Sequence, residues 1–505
     1  MSSSPFLSLP PELRHMIYKY YYTTLDGYFL QPISRKLAAA NGKPLDLALM
    51  YTCRFIAHET RDLPLLYNDI SISTIYDPEL RPWAGRFDYL LYAQLQQQVK
   101  LVLLLGNRFL TEQIWARIEQ SFPWFTPHLR DALSQHRRGQ DQFDMRHIEI
   151  ATSDFYRAVN EALPDWEYSG SDRLLNFLDQ CFKPWDIPHA DALAEMGRKF
   201  KDERLWSTLE SWAPNQRQTQ EYRAKFRISA ASAAIRWLSQ LPANKQMCVH
   251  NLAIIEDRPS VGRQECHAEG LVPFCKANPR LRISHQVSMM NVIFSQAMLS
   301  RVGSFEGLEE YAGQEIGEQA LDLASGESFS CIAEWLAEII SLSKAGMPDG
   351  SYTFTLDGGP DVDLCSEIFQ QVVLRKEAMR LTIERSLPLL GEDDRLYFGL
   401  ELHRGHGNAF AQLIDNSSFI KTNFNPGQLW NADKMLAEFR QTGVLDFFGK
   451  YRCVRMLFKF PRPPLTSIVP RLGALVMENY ESRPCPRRQN TQKRAQRHRR
   501  GRRQH

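Results

Sequence analysis

At 505 residues, 43% hydrophobic and 24% charged, the chain is too long for one ordinary core and too apolar for a disordered protein. About three globular units of roughly 150 residues are expected. The longest purely aliphatic run, residues 101–105, is far short of the ~20 residues of a membrane helix, and the start lacks the basic-then-apolar layout of a secretory signal, so neither a membrane-spanning nor a secreted protein is expected. Nine cysteines with no CxxC pair fit reduced thiols in the nucleus or cytoplasm better than a disulfide framework.

The first predicted element lies in LPPELRHMIYKYY. Pro11 suits a first helical turn, where its missing N–H would have had no partner, and Glu12 favours the helix dipole there. Leu9, Leu13, Ile17 and Tyr21 recur at four, with Met16 and Tyr20 beside them, while Arg14, His15 and Lys19 take the opposite side. A helix this short is marginal alone, so its apolar stripe is expected to be covered. The expected cover is a second helix starting at Asp46, carrying Leu49, Cys53, Ile56 and Thr60 on one face and ended or kinked by Pro64. Between them, Asp26-Gly27 and Asn41-Gly42 predict two short strands with tight turns, and alternating Ile70, Ile72 and Ile75 predict a third.

These residues resemble the F-box-like N-terminal module found in many fungal proteins. The matching positions are Leu9, Pro10, Glu12, Leu13 and Ile17, then Leu49, Thr52, Cys53, Arg54, Leu65 and Tyr67. The resemblance covers about the first 75 residues, and the sequence departs from the compact pattern by inserting about 20 residues between the two helices. It implies that Leu9, Pro10, Leu13 and Ile17 bind the Skp-type adaptor of a cullin ubiquitin ligase, while the rest of the chain selects a client protein. The alternative from the residues alone is a packed N-terminal helix whose stripe is spent on internal core.

Further along, helices are expected at 86–105, 111–121, 152–163, 171–183 and 188–200, then a polar hinge at 211–220. SAASAAIRWLSQLP predicts a helix stopping before Pro242, and MCVHNLAIIED a strand ending at Asp257. The Pro, Gly and Asn density of 256–283 predicts an extended loop. That segment is similar to one in large fungal proteins with the same N-terminus, which implies family membership and no chemistry. Residues 285–345 read as helical, 351–358 and 395–402 as strands flanking a helix at 363–386, and 451–460 as a last strand. No repeat of 20–50 residues is present, so solenoid and propeller client domains are not indicated.

Chemistry is sparse. Cys248, His250, Cys266, His267, Cys275 and His285 concentrate thiols and imidazoles, but their spacing matches no common zinc knuckle, and buried small cysteines explain them more simply. HRGHGN at 403–408 reads as a turn, and the carboxylates of DGGPDVD at 357–363 as a solvated turn without calcium-loop spacing. Phosphate-loop, nucleophile-elbow and zincin motifs are absent. No catalytic residue, metal or cofactor is therefore expected.

The tail is the second sharp feature. Residues 483–505 hold ten Lys/Arg and no acid, so the chain's net charge of +3 conceals a remainder at −7. Such a segment is expected to be disordered and to touch nucleic acid only weakly and nonspecifically. Arg487, Arg488, Lys493, Arg494, Arg497, Arg499, Arg500, Arg502 and Arg503 also have the pattern of a nuclear import signal.

The expected fold is mainly α with minor β. An F-box-like helical module occupies 1–75, a helical region 76–210, a helical body with a small α/β strand patch 221–470, and a disordered basic tail 483–505. The expected role is a non-enzymatic adaptor presenting a client to a cullin-type ligase. The alternatives are a structural or interaction scaffold without ligase link, or a nuclear nucleic-acid-associated protein acting through the tail.

Overall fold

A computed structural model describes residues 5–91 except Ile33, 112–121, Arg130, 133–134, 182–199, 222–297, 318–386, 409–415, 419–442, Phe447 and 477–482. The expected helix at 152–163, nearly all of that at 171–183, the hinge at 211–220, the strands at 395–402 and 451–460, the HRGHGN turn and the basic tail lie outside these residues. Among the described residues about 55% are helical and 14% are in strands, and no helix is long and apolar enough to cross a membrane.

In chain order the elements begin with α1 (Pro11–Tyr22), β1 (Tyr28–Leu30), β2 (Leu37–Ala39), α2 (Arg54–Thr60), α3 (Leu63–Tyr67) and β3 (Ile70–Ser73). Helical residues 81–91 follow, then α4 (Glu112–Ser121), α5 (Ala190–Lys199), β4 (Tyr222–Ala224), α6 (Ala230–Gln240) and α7 (Ala243–Gln246). Next come β5 (Asn251–Glu256), α8 (Val272–Ala277), β6 (Arg282–Ser288), α9 (Glu318–Lys344) and β7 (Tyr352–Asp357). The last are α10 (Val362–Ile368), α11 (Leu374–Ser386), α12 (Ala409–Asp415), β8 (Ile420–Thr422), α13 (Ala432–Thr442) and β9 (Tyr480–Ser482).

The strands are more than a patch within the body. Seven form one sheet in the order β2-β1-β3-β5-β6-β7-β8, antiparallel only at the β1–β2 edge. Thus β1 to β3 of the first 75 residues and β5 to β8 of the body share one sheet, joined where Ile70 pairs with Leu252 and Ser73 with Ile255. The parallel strands follow one another in sequence order, so right-handed crossovers place the connecting helices on one face. Burial agrees with that winding. Ile70, Ile72, Leu252, Ile254, Ile283, Val287, Phe354 and Leu356 are sealed on one side, while Ser71, Ala253, Ser284, Gln286 and Thr355 on the other are half-buried. The main core lies on the sealed face, where Trp237 of α6, Trp335 of α9, Phe369 and Phe410 of α12 meet the strands.

Two expectations from the sequence change here. The supposed loop at 256–283 contains a 3₁₀ turn (Gln264–Leu271), α8 and the start of β6. Its Pro and Gly act at element boundaries: Pro273 sits in the first turn of α8, and Gly262 takes a left-handed φ of 83°. Residues 285–288, read as the start of a helical stretch, instead complete β6 (Arg282–Ser288), with Ile283, His285 and Val287 facing inward. A histidine in the middle apolar slot concealed the alternation.

The first turn behaves as its Asp-Gly predicts. Gly27 has φ 67°, and a Cβ there would stand 2.4 Å from the Asp69 carbonyl oxygen, which accepts the Tyr28 N–H. Gly27→Ala should therefore destabilise the protein by about 2 kcal/mol, from backbone strain and collision with immovable main chain. Urea unfolding measures it, and an unchanged midpoint would show that the β1–β3 pairing tolerates a side chain here.

Candidate protein-docking face

The geometry of α1 is set by a polar face turned inward. Pro10 and Pro11 precede the first turn, Glu12 lies at its start and Lys19 in its last turn, charges that suit the helix dipole. Arg14, Tyr18 and Tyr22, four residues apart, are the buried positions. The Arg14 guanidinium meets Glu59 of α2 bidentately, Nε to Oε2 at 3.1 Å and Nη2 to Oε1 at 2.6 Å, and Nη1 donates to the Leu9 carbonyl at 2.5 Å. Tyr18 Oη donates to Glu59 Oε2 at 2.7 Å. The hydrogen bond from Arg14 leads in holding the Glu59 carboxyl below its ordinary range, while burial and then Glu59 push the Tyr18 phenol up to about 12. Ile56, Leu63 and the partly buried Phe6, Leu49 and Tyr67 complete this small cluster.

The apolar stripe points the other way. Leu13 is 46% exposed, Met16 67%, Ile17 43% and Tyr20 89%, and Pro10 is exposed while Leu9 is half-buried. The expected cover is missing because the second helix does not form as one piece. A 3₁₀ turn (Ala48–Tyr51) with Asp46 Oδ1 accepting the Ala48 N–H is followed by α2 and α3 as separate short helices. Pro64 lies in the first turn of α3, just past the break between α2 and α3, and Cys53 is exposed ahead of α2. The inward-facing side chains of α2 meet the Arg14–Tyr18 side of α1. Phe55 stays half exposed, with the Arg14 guanidinium carbon 5.1 Å from its ring centroid. On a single chain, a row of four large apolar residues facing away from their own core marks an interaction surface more often than a structural one.

Sequence reasoning found Leu9, Pro10, Leu13 and Ile17 and missed the residues that present them. Glu59 looked like an ordinary charged helix position, because nothing in the sequence links it to Arg14. Asn68 looked like a flank of the next strand. Its amide donates to the Tyr22 and Pro64 carbonyls, both at 2.8 Å, and its Oδ1 accepts from the Thr24 N–H and hydroxyl at 2.7 and 2.8 Å. That one side chain ties the end of α1 to α3.

The cysteine and histidine candidates are dispersed. Among the described residues no three His, Cys, Asp or Glu converge to hold a metal ion. Burial pushes the Cys266 and Cys275 thiols up, which keeps them protonated and poor ligands. Cys248 is half-buried, its Sγ 3.3 Å from the Asn244 carbonyl. His267 Nε2 stands 2.7 Å from the Gly262 carbonyl and so carries the proton, leaving Nδ1 as acceptor for the Ser229 and Ser232 hydroxyls at 2.6 and 2.9 Å. Burial dominates in lowering its pKa, which keeps the ring neutral. His285 Nδ1 shares a 2.6 Å hydrogen bond with Tyr352 Oη.

The carboxylates of DGGPDVD are structural. Asp361 caps α10 through the Leu364 N–H, and Asp357 accepts from the Gly359 N–H and the Asn423 amide.

The import-signal residues Arg487 to Arg503 lie outside the described residues. No family model, no curated protein and no solved structure matches this chain.

Proposed function

We propose that the outward face of α1 docks a Skp-type adaptor and that the chain is a non-enzymatic adaptor presenting a client protein to a cullin-type ubiquitin ligase. The carrying observation is the inverted helix: Arg14 and Tyr18 are anchored inward on Glu59 and Tyr22 is buried beside them, while Leu13, Met16, Ile17 and Tyr20 face outward. The resemblance of these positions to the F-box-like module names the occupant. Helix-in-groove recognition needs apolar anchors at spacings of three and four on one face, and this stripe supplies them.

Leu13→Asp combined with Ile17→Asp should reduce co-purification of the Skp-type adaptor by roughly a hundredfold, the loss of two buried anchors at an interface. Thermal stability should be unchanged, since neither side chain is used in the protein's own core. A wild-type chain that captures no adaptor, or a double variant that captures as much as wild type, defeats the reading.

A further inference from the structure

A cavity of about 230 Å³ opens between the helical residues 81–91, the segment leading into α5, the start of α6 and the turn after β1. Its walls are of two kinds. Trp83, Phe87, Leu193 and Val261 line it with apolar surface, while Arg35, Arg236 and the buried Ser229 and Ser232 supply polar groups. Both arginines also line an adjoining hollow of about 40 Å³.

The cavity carries two uncompensated charges. Neither the Arg35 nor the Arg236 guanidinium makes an ion pair or hydrogen bond among the described residues. The two are close enough that, after burial, the Arg35 charge acts to lower the Arg236 pKa. A half-buried Arg236 and an exposed Arg35 sharing one hollow repel each other, and an anion between them relieves both at once. Asp186, the carboxylate among the described lining residues, accepts the Lys183 N–H at 2.7 Å, and burial pushes its carboxyl up.

The serines add a fixed polar wall. Ser229 Oγ and Ser232 Oγ lie 2.6 and 2.9 Å from His267 Nδ1 and 3.0 Å from each other, so the three groups satisfy one another and the anion contacts fall to the arginines. We propose that this cavity is a binding site for a small organic anion, an apolar and preferably aromatic carboxylate whose ring rests on Trp83 and Phe87 and whose head lies between Arg35 and Arg236. Sites of this kind pair a mainly apolar lining with a few convergent polar groups.

Isothermal titration of the full chain with 2-naphthoate, with neutral 2-naphthamide and with inorganic phosphate tests the site. Naphthoate should bind with a Kd of about 100 μM or tighter, a modest yield per atom for a ligand of this size. The amide and phosphate should each bind at least tenfold more weakly. Arg236→Gln and Arg35→Gly should each weaken naphthoate at least tenfold. Residue 35 has φ 55°, a conformation glycine adopts freely, so the Arg35→Gly chain should retain wild-type stability and its lost binding would reflect the missing charge. Naphthoate giving no heat, amide or phosphate binding as tightly as naphthoate, or both arginine variants binding like wild type would each overturn the proposal.

Discussion

Glu256→Gln should cost about 3 kcal/mol of stability near neutral pH, the scale expected when hydrogen bonds to a buried charge are broken. The side chain is fully buried at the end of β5. Its Oε2 and Oε1 accept the Ala230 and Ala231 N–H groups that open α6, at 3.0 and 2.9 Å, and Oε2 takes the Thr74 hydroxyl at 3.1 Å. His285 Nε2 stands 3.8 Å from Oε1, beyond hydrogen-bond length but close enough to interact. One carboxylate thus joins β3, β5 and β6 to the helix packed over them, and a helix N-terminus favours negative charge there. A glutamine amide would present N–H to N–H at one of these contacts.

The pH dependence carries a definite sign. Burial pushes the Glu256 carboxyl up, and His285 with the Ala231 and Ala230 N–H groups outweighs it, holding the group below the ordinary carboxylate range. A depressed folded pKa means stabilisation that is complete above the unfolded value of about 4.3 and is lost as pH falls through the folded one. The gap between wild type and Glu256→Gln should therefore be constant from neutrality to about pH 5 and shrink on further acidification. Urea unfolding at several pH values measures it; a gap that widens in acid, or none at neutrality, would mean that Glu256 is not holding α6 as a carboxylate.

The contrast between Glu256 and Leu252 shows what the sequence could reveal. Leu252 and Ile254 announce β5 through alternation with smaller residues, and Ile70 and Ile72 announce β3 in the same way, because a strand half-buried on one face writes a period of two. SAASAAIRWLSQ announces α6, and SYTFTLDG announces β7. None of these patterns records which strand lies beside which, so the pairing of β3 with β5 across nearly 180 residues could not be read, and the first 75 residues looked self-contained. Glu256 and His285 occupy inward slots where apolar residues are expected, and their role depends on partners brought in by that same pairing.

The apolar stripe of α1 shows the complementary failure. Leu13, Ile17 and their neighbours were legible as a stripe, but its direction was not. Periodicity locates an apolar face and is silent on whether that face meets the protein's own core. Here Arg14 with Glu59 supplies the alternative attachment, a charge-assisted bidentate pair that lets the helix be held by its polar side. The cavity was invisible for a third reason. Arg35, Trp83 and the Ser229–Arg236 stretch that opens α6 come from three segments far apart in the sequence, and nothing but the fold assembles them.

Asn68→Ala should cost a further large amount, about 3 kcal/mol, for it removes a side chain that satisfies all four of its hydrogen-bonding positions in a buried setting. The Tyr22 and Pro64 carbonyls would lose their amide donor, and the Thr24 N–H its acceptor, with water poorly placed to replace either. Since those contacts fasten the end of α1 to α3 and to the turn before β1, the loss should loosen α1 itself. Adaptor capture should then fall together with the unfolding midpoint, even though Leu13, Ile17 and every other outward residue is untouched. Asn68→Asp separates the contributions: it keeps the acceptor for Thr24 but sets a carboxylate against two carbonyls, so it should be no more stable than the alanine variant. Hydrogen exchange of the α1 amides gives the local readout, with faster exchange expected there than in β5 or β6. If Asn68→Ala exchanges and unfolds like wild type, the asparagine is not the tie, and the packing of Tyr18 and Tyr22 alone must hold the docking helix in place.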